Sequence, residues 1–142
     1  MIRRIVYTSL TVLWMIVIFT MSSQTAEISG GQSSIIAKII TEIFINNPST
    51  DLVEIFETII RKLCHFFEYA FLFVLIYNTI KSYGVKDKHK LYSFLIIIMY
   101  AISDEIHQYF VPGRACRIID VIIDISGAFF SYAIIRIFHK NE

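Results

Sequence analysis

At 142 residues the chain suffices for one domain, yet its 56% hydrophobic content and mean hydropathy of +0.62 exceed what a soluble core of that size needs. The excess lies in long apolar runs and points to an integral membrane protein. A net charge of +1 gives no argument for nucleic acid, and two cysteines, Cys64 and Cys116, form no metal motif and prove no disulfide.

Ile5 to Met21 is an uncharged run of 17 residues preceded by Arg3 and Arg4. As a helix it measures about 26 Å, enough to span a bilayer with little tilt. A basic start and an apolar centre also describe a signal peptide, but no small-x-small site follows in MSSQTAEIS, so the run is read as an uncleaved first span. Ser22, Ser23 and Gln24 close its outer end. Residues 25–60 are less membrane-like. Gly30 and Gly31 are expected to break the chain, and Asn46-Asn47-Pro48-Ser49-Thr50 reads as a turn cluster. Two amphipathic helices are predicted here, Ser33–Ile45 and Asp51–Ile60, with Asp51 or Thr50 as N-cap of the second. They pack on the bundle or lie at the interface, with a lid over a site as the alternative.

Leu63–Ile80 is the second span and carries His65 and Glu68. Gly84 and the basic residues Lys86, Lys88 and Lys90 follow as a loop. Leu91–Phe110 is the third span, apolar to Ile102 and polar after it. Pro112-Gly113 forces a turn, and Ile118–Phe138 is the fourth span with Asp120 and Asp124 near its start. Arg136, His139 and Lys140 close the chain. The expected fold is therefore all-α: a single polytopic domain over 1–142 with four transmembrane helices (about 5–21, 63–80, 91–110 and 118–138) and an extracytoplasmic amphipathic helical segment between the first and second. Lysine and arginine concentrate at Arg3, Arg4, the 81–90 loop and the tail, which favours both termini in the cytoplasm.

The ionisable residues share a depth. Counting from Arg61, Val111 and Ile118 as outer ends, His65 and Glu68 lie roughly 6 and 10 Å in, Asp104 and His107 roughly 10 and 6 Å, and Asp124 roughly 9 Å. Helical spacing agrees: Arg61, His65 and Glu68 share one face, as do Lys62, His65 and Tyr69, Asp104, His107 and Gln108, and Asp120 and Asp124. Gly127 and Ser131 extend the last stripe, where small residues admit a close neighbour. Arg117 is placed to pair with Asp120. Charges at such a depth face a protein interior and mark function, or else they are ion pairs holding the bundle together. The candidate catalytic residues are His65, Glu68, Asp104, Glu105, His107, Asp120 and Asp124. Arg61, Lys62, Tyr69, Gln108 and Arg114 are the candidate binding residues, with Arg117 a further cation beside them. His65 and His107 among carboxylates suit a divalent metal of open identity or acid–base work, and the cations suit a phosphate or carboxylate. No HExxH, GxSxG, Walker or dinucleotide motif is present. Ser103 and Cys64 are weak nucleophile candidates by proximity alone.

Three segments, WMIVIFTMSSQ at 14–24, RKLCHFFEYAFL at 61–72 and SDEIHQYFVPGRACRIIDVIIDISG at 103–127, together resemble the VanZ-like family of bacterial membrane proteins. The family's pattern falls on Arg61, Lys62, His65, Glu68, Tyr69, Asp104, Glu105, Gln108, Arg114, Asp120, Asp124 and Gly127, with Cys116 as a departure. The family takes its name from a protein associated with glycopeptide resistance, notably to teicoplanin. The resemblance implies a bacterial cytoplasmic-membrane protein with a cell-envelope role and carries no reaction with it. The expected partner is a membrane lipid or a lipid-linked envelope headgroup, acted on by hydrolysis or transfer. A non-enzymatic binder using the same pocket is the alternative, and a proton-coupled carrier ranks last.

Overall fold

The backbone of a computed structural model, described over residues 1–45, 47–85 and 88–138, is helical almost throughout. The helices are α1 (Ile2–Ser22), α2 (Ala26–Phe44), α3 (Thr50–Ser82), α4 (His89–Tyr109) and α5 (Ile118–Phe138). Asn46 of the expected turn cluster, Lys86 of the basic loop, and His139 and Lys140 of the tail lie outside the described residues.

Two expectations about residues 25–60 need correction. Gly30 and Gly31 do not break the chain; both sit inside α2, which begins at Ala26 rather than Ser33. The Thr25 side chain accepts the Ile28 N–H at 3.4 Å and caps the helix ahead of the glycines. A glycine costs a helix about 1 kcal/mol, which the helix bears at both positions; a Cβ at Gly30 would meet only the end of the Glu57 side chain, at 3.3 Å, and one at Gly31 would meet nothing. Nor are Asp51–Ile60 and Leu63–Ile80 separate helices. With no glycine or proline between Thr50 and Ser82, they run as one 33-residue helix about 50 Å long. Its N-cap is Ser49, whose Oγ accepts the Leu52 N–H at 3.3 Å, not Asp51 or Thr50.

The middle of the bundle belongs to α3, which packs against each of the other four helices. Its residues Tyr69, Leu72, Phe73, Ile76 and Tyr77 join Ile18 of α1, Ile97 and Ala101 of α4 and Ala128 of α5 in the core. The α3–α5 seam is the tightest. A Cβ on Gly127 would collide with the Phe66 carbonyl, and Ser131 Oγ donates to the Ala70 carbonyl at 2.7 Å. The small-residue stripe of α5 therefore does what its spacing predicts, and it presses the preceding turn, with Asp124, toward α3. On the other flank α1 is pinned by Trp14 Nε1 donating to the Glu68 carbonyl at 3.0 Å and by Tyr100 Oη donating to the Met15 carbonyl at 2.6 Å. Trp14 is thus a packing anchor.

The α4–α5 turn needs its glycine. Gly113 has φ of +77°, a left-handed conformation that side chains disfavour, and a Cβ there would fall 2.9 Å from that of Ala26. Ala26 N–H donates to the Pro112 carbonyl at 3.3 Å, so the start of α2 is seated on this turn. Cys64 and Cys116 are both free and exposed.

By length and composition two of the described helices, α1 and α5, are apolar enough to cross a membrane, where four were expected. The difference has a physical source. Acidic and polar side chains interrupt the apolar run of α4 after Ile102. The first half of α3 is charged.

Candidate functional site

Helical spacing brings one face of each of three helices to a common centre. On α3 it is His65, on α4 Asp104 and on α5 Asp124, and one ligating atom from each lies within 4.8 Å of the others. His65 Nδ1 is 3.7 Å from Asp124 Oδ1 and 4.0 Å from Glu68 Oε2. The carboxylates are deep: Asp124 is 0% exposed and Asp104 3%.

Asp104 is held on one side only. Its Oδ2 accepts Ser22 Oγ at 2.9 Å and Gln108 Nε2 at 3.0 Å. Gln108 is itself held, since Arg114 Nη1 donates to its Oε1 at 3.3 Å while Arg114 Nε donates to the Gln24 carbonyl at 3.2 Å. A chain of hydrogen bonds thus runs from the α4–α5 turn to the buried carboxylate and fixes its orientation. Five buried atoms at the centre have no hydrogen-bond partner among the described residues: His65 Nδ1, Tyr69 Oη, Asp104 Oδ1 and both carboxylate oxygens of Asp124. Buried polar groups are satisfied as a rule, so such a concentration of exceptions calls for an explanation.

Cations ring the outer side. Lys62 Nζ pairs with Asp120 Oδ1 at 3.1 Å, and Arg61 lies 3.9 Å from Glu57 one turn back on α3. A cavity of about 220 Å³ opens here, lined by Arg61, Lys62, His65, Gln108, Arg114, Arg117 and Asp120. A second, of about 170 Å³, is walled by α1 and α2 through Ser22, Gln24, Gln32 and Ser33, and by Glu68 and Cys64 of α3. Arg61, His65 and Arg114 belong to the walls of both.

A family model described as VanZ/LLP1 matches residues 7–139, nearly the whole chain. The chain belongs to the VanZ-like family. No curated protein and no solved structure matches it. Membership together with the two apolar helices makes it a membrane protein.

Within this VanZ-like fold most sequence-predicted site residues meet, but not all in the predicted role. His65, Glu68, Tyr69, Asp104, Gln108 and Asp124 converge, with Arg61, Lys62, Arg114 and Asp120 at the mouth. His107 does not join His65. It sits three residues after Asp104 and so turns toward α1, where its ring stacks on Phe19 at 4.3 Å and its Nε2 shares a hydrogen bond with Ser23 Oγ at 3.0 Å. The expected pairing of two histidines around a metal is therefore replaced by one histidine and two aspartates. Glu105 is buried but occupied: its Oε2 accepts the Arg117 N–H at 2.8 Å and anchors the entry to α5. With its backbone tied there, Arg117 leaves Asp120 to Lys62, so the expected Arg117–Asp120 pair gives way to one between helices. Ser22, by sequence only the end of a span, is buried and donates to Asp104. The signal for it was present as a small hydroxyl residue at the outer end of an apolar run, at the depth of the charged residues.

Proposed function

We propose that this VanZ-like protein is a four-span protein of the bacterial cytoplasmic membrane, with both termini in the cytoplasm. Its outward-facing polar cleft binds the anionic headgroup of an envelope lipid or lipid-linked precursor and hydrolyses or transfers a group on it. Support for the spans beyond α1 and α5 comes from belts of apolar side chains left exposed on the other two long helices. Leu63, Phe67 and Phe71 project from α3, and Leu95, Met99, Ile102 and Ile106 from α4. Water would penalise such contiguous belts, whereas acyl chains accept them. The first half of α3, α2 and the α4–α5 turn then stand at the outer surface over the polar centre. Arg3, Arg4, Lys81, Lys88, Lys90 and Arg136 gather at the opposite, cytoplasmic end, in keeping with the positive-inside rule.

The observation that carries the headgroup is the pair Arg61 and Arg114. Both residues line both cavities. Burial first, then the like charge of Arg61, pulls Arg114 below its ordinary value, against the opposing pull of Asp104, Glu105 and Asp120. An anion between the two forks relieves that repulsion and gains charge-assisted hydrogen bonds. Phosphate is the anion of envelope lipids that fits such a clamp, and Glu68, in the wall of the second cavity, is the carboxylate available for proton transfer beside it.

The test is a binding and turnover assay on the full chain in nanodiscs, using phosphodiester lipids and polyprenyl diphosphates against zwitterionic and neutral lipids. Saturable binding of an anionic headgroup that weakens in both Arg61→Ala and Arg114→Ala is expected, with product formed in wild type. Binding without product would identify a sequestering protein, and indifference to headgroup charge would sink the reading.

A further inference from the structure

We infer that His65, Asp104 and Asp124 hold a divalent cation, a first-row transition ion such as Zn²⁺ or Mn²⁺, at the floor of the cleft. The inference stands on the atoms left without partners and does not depend on the headgroup reading.

Two carboxylates at 0% and 3% exposure, deep in an apolar bundle, need a compensating charge or donors on their oxygens. Among the described residues Asp124 has no donor on either oxygen and Asp104 none on Oδ1. His65 cannot neutralise both by itself. Its Nδ1 is 3.7 Å from Asp124 Oδ1, too long for a hydrogen bond, and it too has no hydrogen-bond partner. One imidazole nitrogen and two carboxylate oxygens, all within 4.8 Å of one another, surround a point that an ion can occupy with small side-chain adjustments. Two negative charges balance a +2 ion, and the imidazole favours a borderline transition ion over Mg²⁺ or Ca²⁺.

Independent support comes from the groups behind the ligands. Metal-binding carboxylates are characteristically held by a second hydrogen bond that aims the free oxygen. Asp104 has that arrangement: Ser22 and Gln108 occupy Oδ2 and leave Oδ1 for the centre. Tyr69 adds a fully buried hydroxyl that has no partner and lies within electrostatic reach of both aspartates. Three protein ligands also leave coordination positions open, the arrangement of reactive rather than closed structural sites. His65 lines both cavities, so those positions are reachable from the cleft.

The experiment needs no lipid substrate. The full chain is purified in nanodiscs, stripped with chelator and reloaded separately with Zn²⁺ and Mn²⁺. Bound metal is counted by mass spectrometry, Mn²⁺ is followed by electron paramagnetic resonance, and thermal unfolding is recorded with and without metal. About one ion per chain, a raised unfolding midpoint and a Mn²⁺ signal are expected. His65→Ala and Asp124→Asn should abolish all three, and Ser22→Ala should weaken affinity roughly 10- to 100-fold. His107→Ala should retain the metal. If Asp124→Asn fails to fold, wild type and Ser22→Ala decide the matter. Absence of stoichiometric metal in reloaded wild type, or equal binding by His65→Ala, overturns the site.

Discussion

Ser22 Oγ lies 2.9 Å from Asp104 Oδ2, inside the bundle and shielded from solvent on both sides, so the outer end of α1 is fastened to the polar end of α4 by a bond to a buried carboxylate. A hydrogen bond to a charged acceptor is worth more than one between neutral groups, and losing it leaves the acceptor short of a donor. Ser22→Ala is therefore expected to destabilise the protein by about 2 kcal/mol. Chemical unfolding of the purified chain in detergent measures this, and a change within error of zero would show that water replaces the hydroxyl without cost.

Gly127 makes a sharper prediction, because no side chain at all fits against the Phe66 carbonyl. Gly127→Ala must push α5 away from α3, lengthening the Ser131–Ala70 hydrogen bond and carrying Asp124 away from His65. A loss of about 3 kcal/mol or more is expected, in the range of overpacked cores. Ser131→Ala removes one hydrogen bond and should cost about 1 kcal/mol. Equal effects in the two variants, read from unfolding midpoints, would contradict a backbone-to-backbone seam.

How much of this was legible beforehand depended on geometry that repeats along a helix. Depth is set by rise per residue and facing by spacing, so His65, Asp104 and Asp124 could be brought together from their numbers alone. The same spacing could not say which of two neighbours one turn apart points at the centre. His107 follows Asp104 closely enough to share a broad face, yet the rotation between them sends it to Phe19. Ser22 escaped because a hydroxyl at the end of a span has no pattern of its own; its role exists only through Asp104, far along the chain. Gly30 and Gly31 misled for the opposite reason. A local preference against helix of about 1 kcal/mol per glycine is outweighed by the Thr25 cap and by the packing of α2 on α3, which no local window contains. The continuity of α3 was readable from the lack of glycine or proline between Thr50 and Ser82, but the shift from amphipathic to apolar pattern suggested two elements where there is one.

The proposed orientation can be tested at Cys116, which is free and exposed in the α4–α5 turn. In a Cys64→Ser background, a membrane-impermeant maleimide added to intact cells should label Cys116 to the extent seen after permeabilisation. Labelling only after permeabilisation would place the polar cleft on the cytoplasmic side and invert the topology.

Arg114 at the mouth should not be interchangeable with lysine. Arg114 uses Nε toward the Gln24 carbonyl and Nη1 toward Gln108, a fork that a single ammonium cannot reproduce. Arg114→Lys should therefore weaken anionic-headgroup binding about tenfold despite unchanged charge. Lys62→Ala, which removes only a partly exposed pair with Asp120, should change it less. Titration of a phosphodiester lipid into the nanodisc-embedded variants checks the order, and full binding by Arg114→Lys would mean that charge alone matters.

His65 and His107 offer a final contrast, since both lay at similar expected depth and only one reaches the centre. His107 contributes a ring stack on Phe19 and a bond to Ser23, so His107→Ala is expected to cost about 1 kcal/mol of stability and to leave turnover or headgroup binding near wild type. His65 stands between Glu68 and Asp124, and His65→Ala should remove function while the chain still accumulates in the membrane. Both outcomes can be read in one experiment that pairs membrane protein level by immunoblot with activity per mole of protein. Equal loss of activity in the two variants at wild-type protein levels would mean that the functional centre extends to the α1 face. Loss of protein level in His65→Ala alone, with activity per mole unchanged, would reduce His65 to a packing residue.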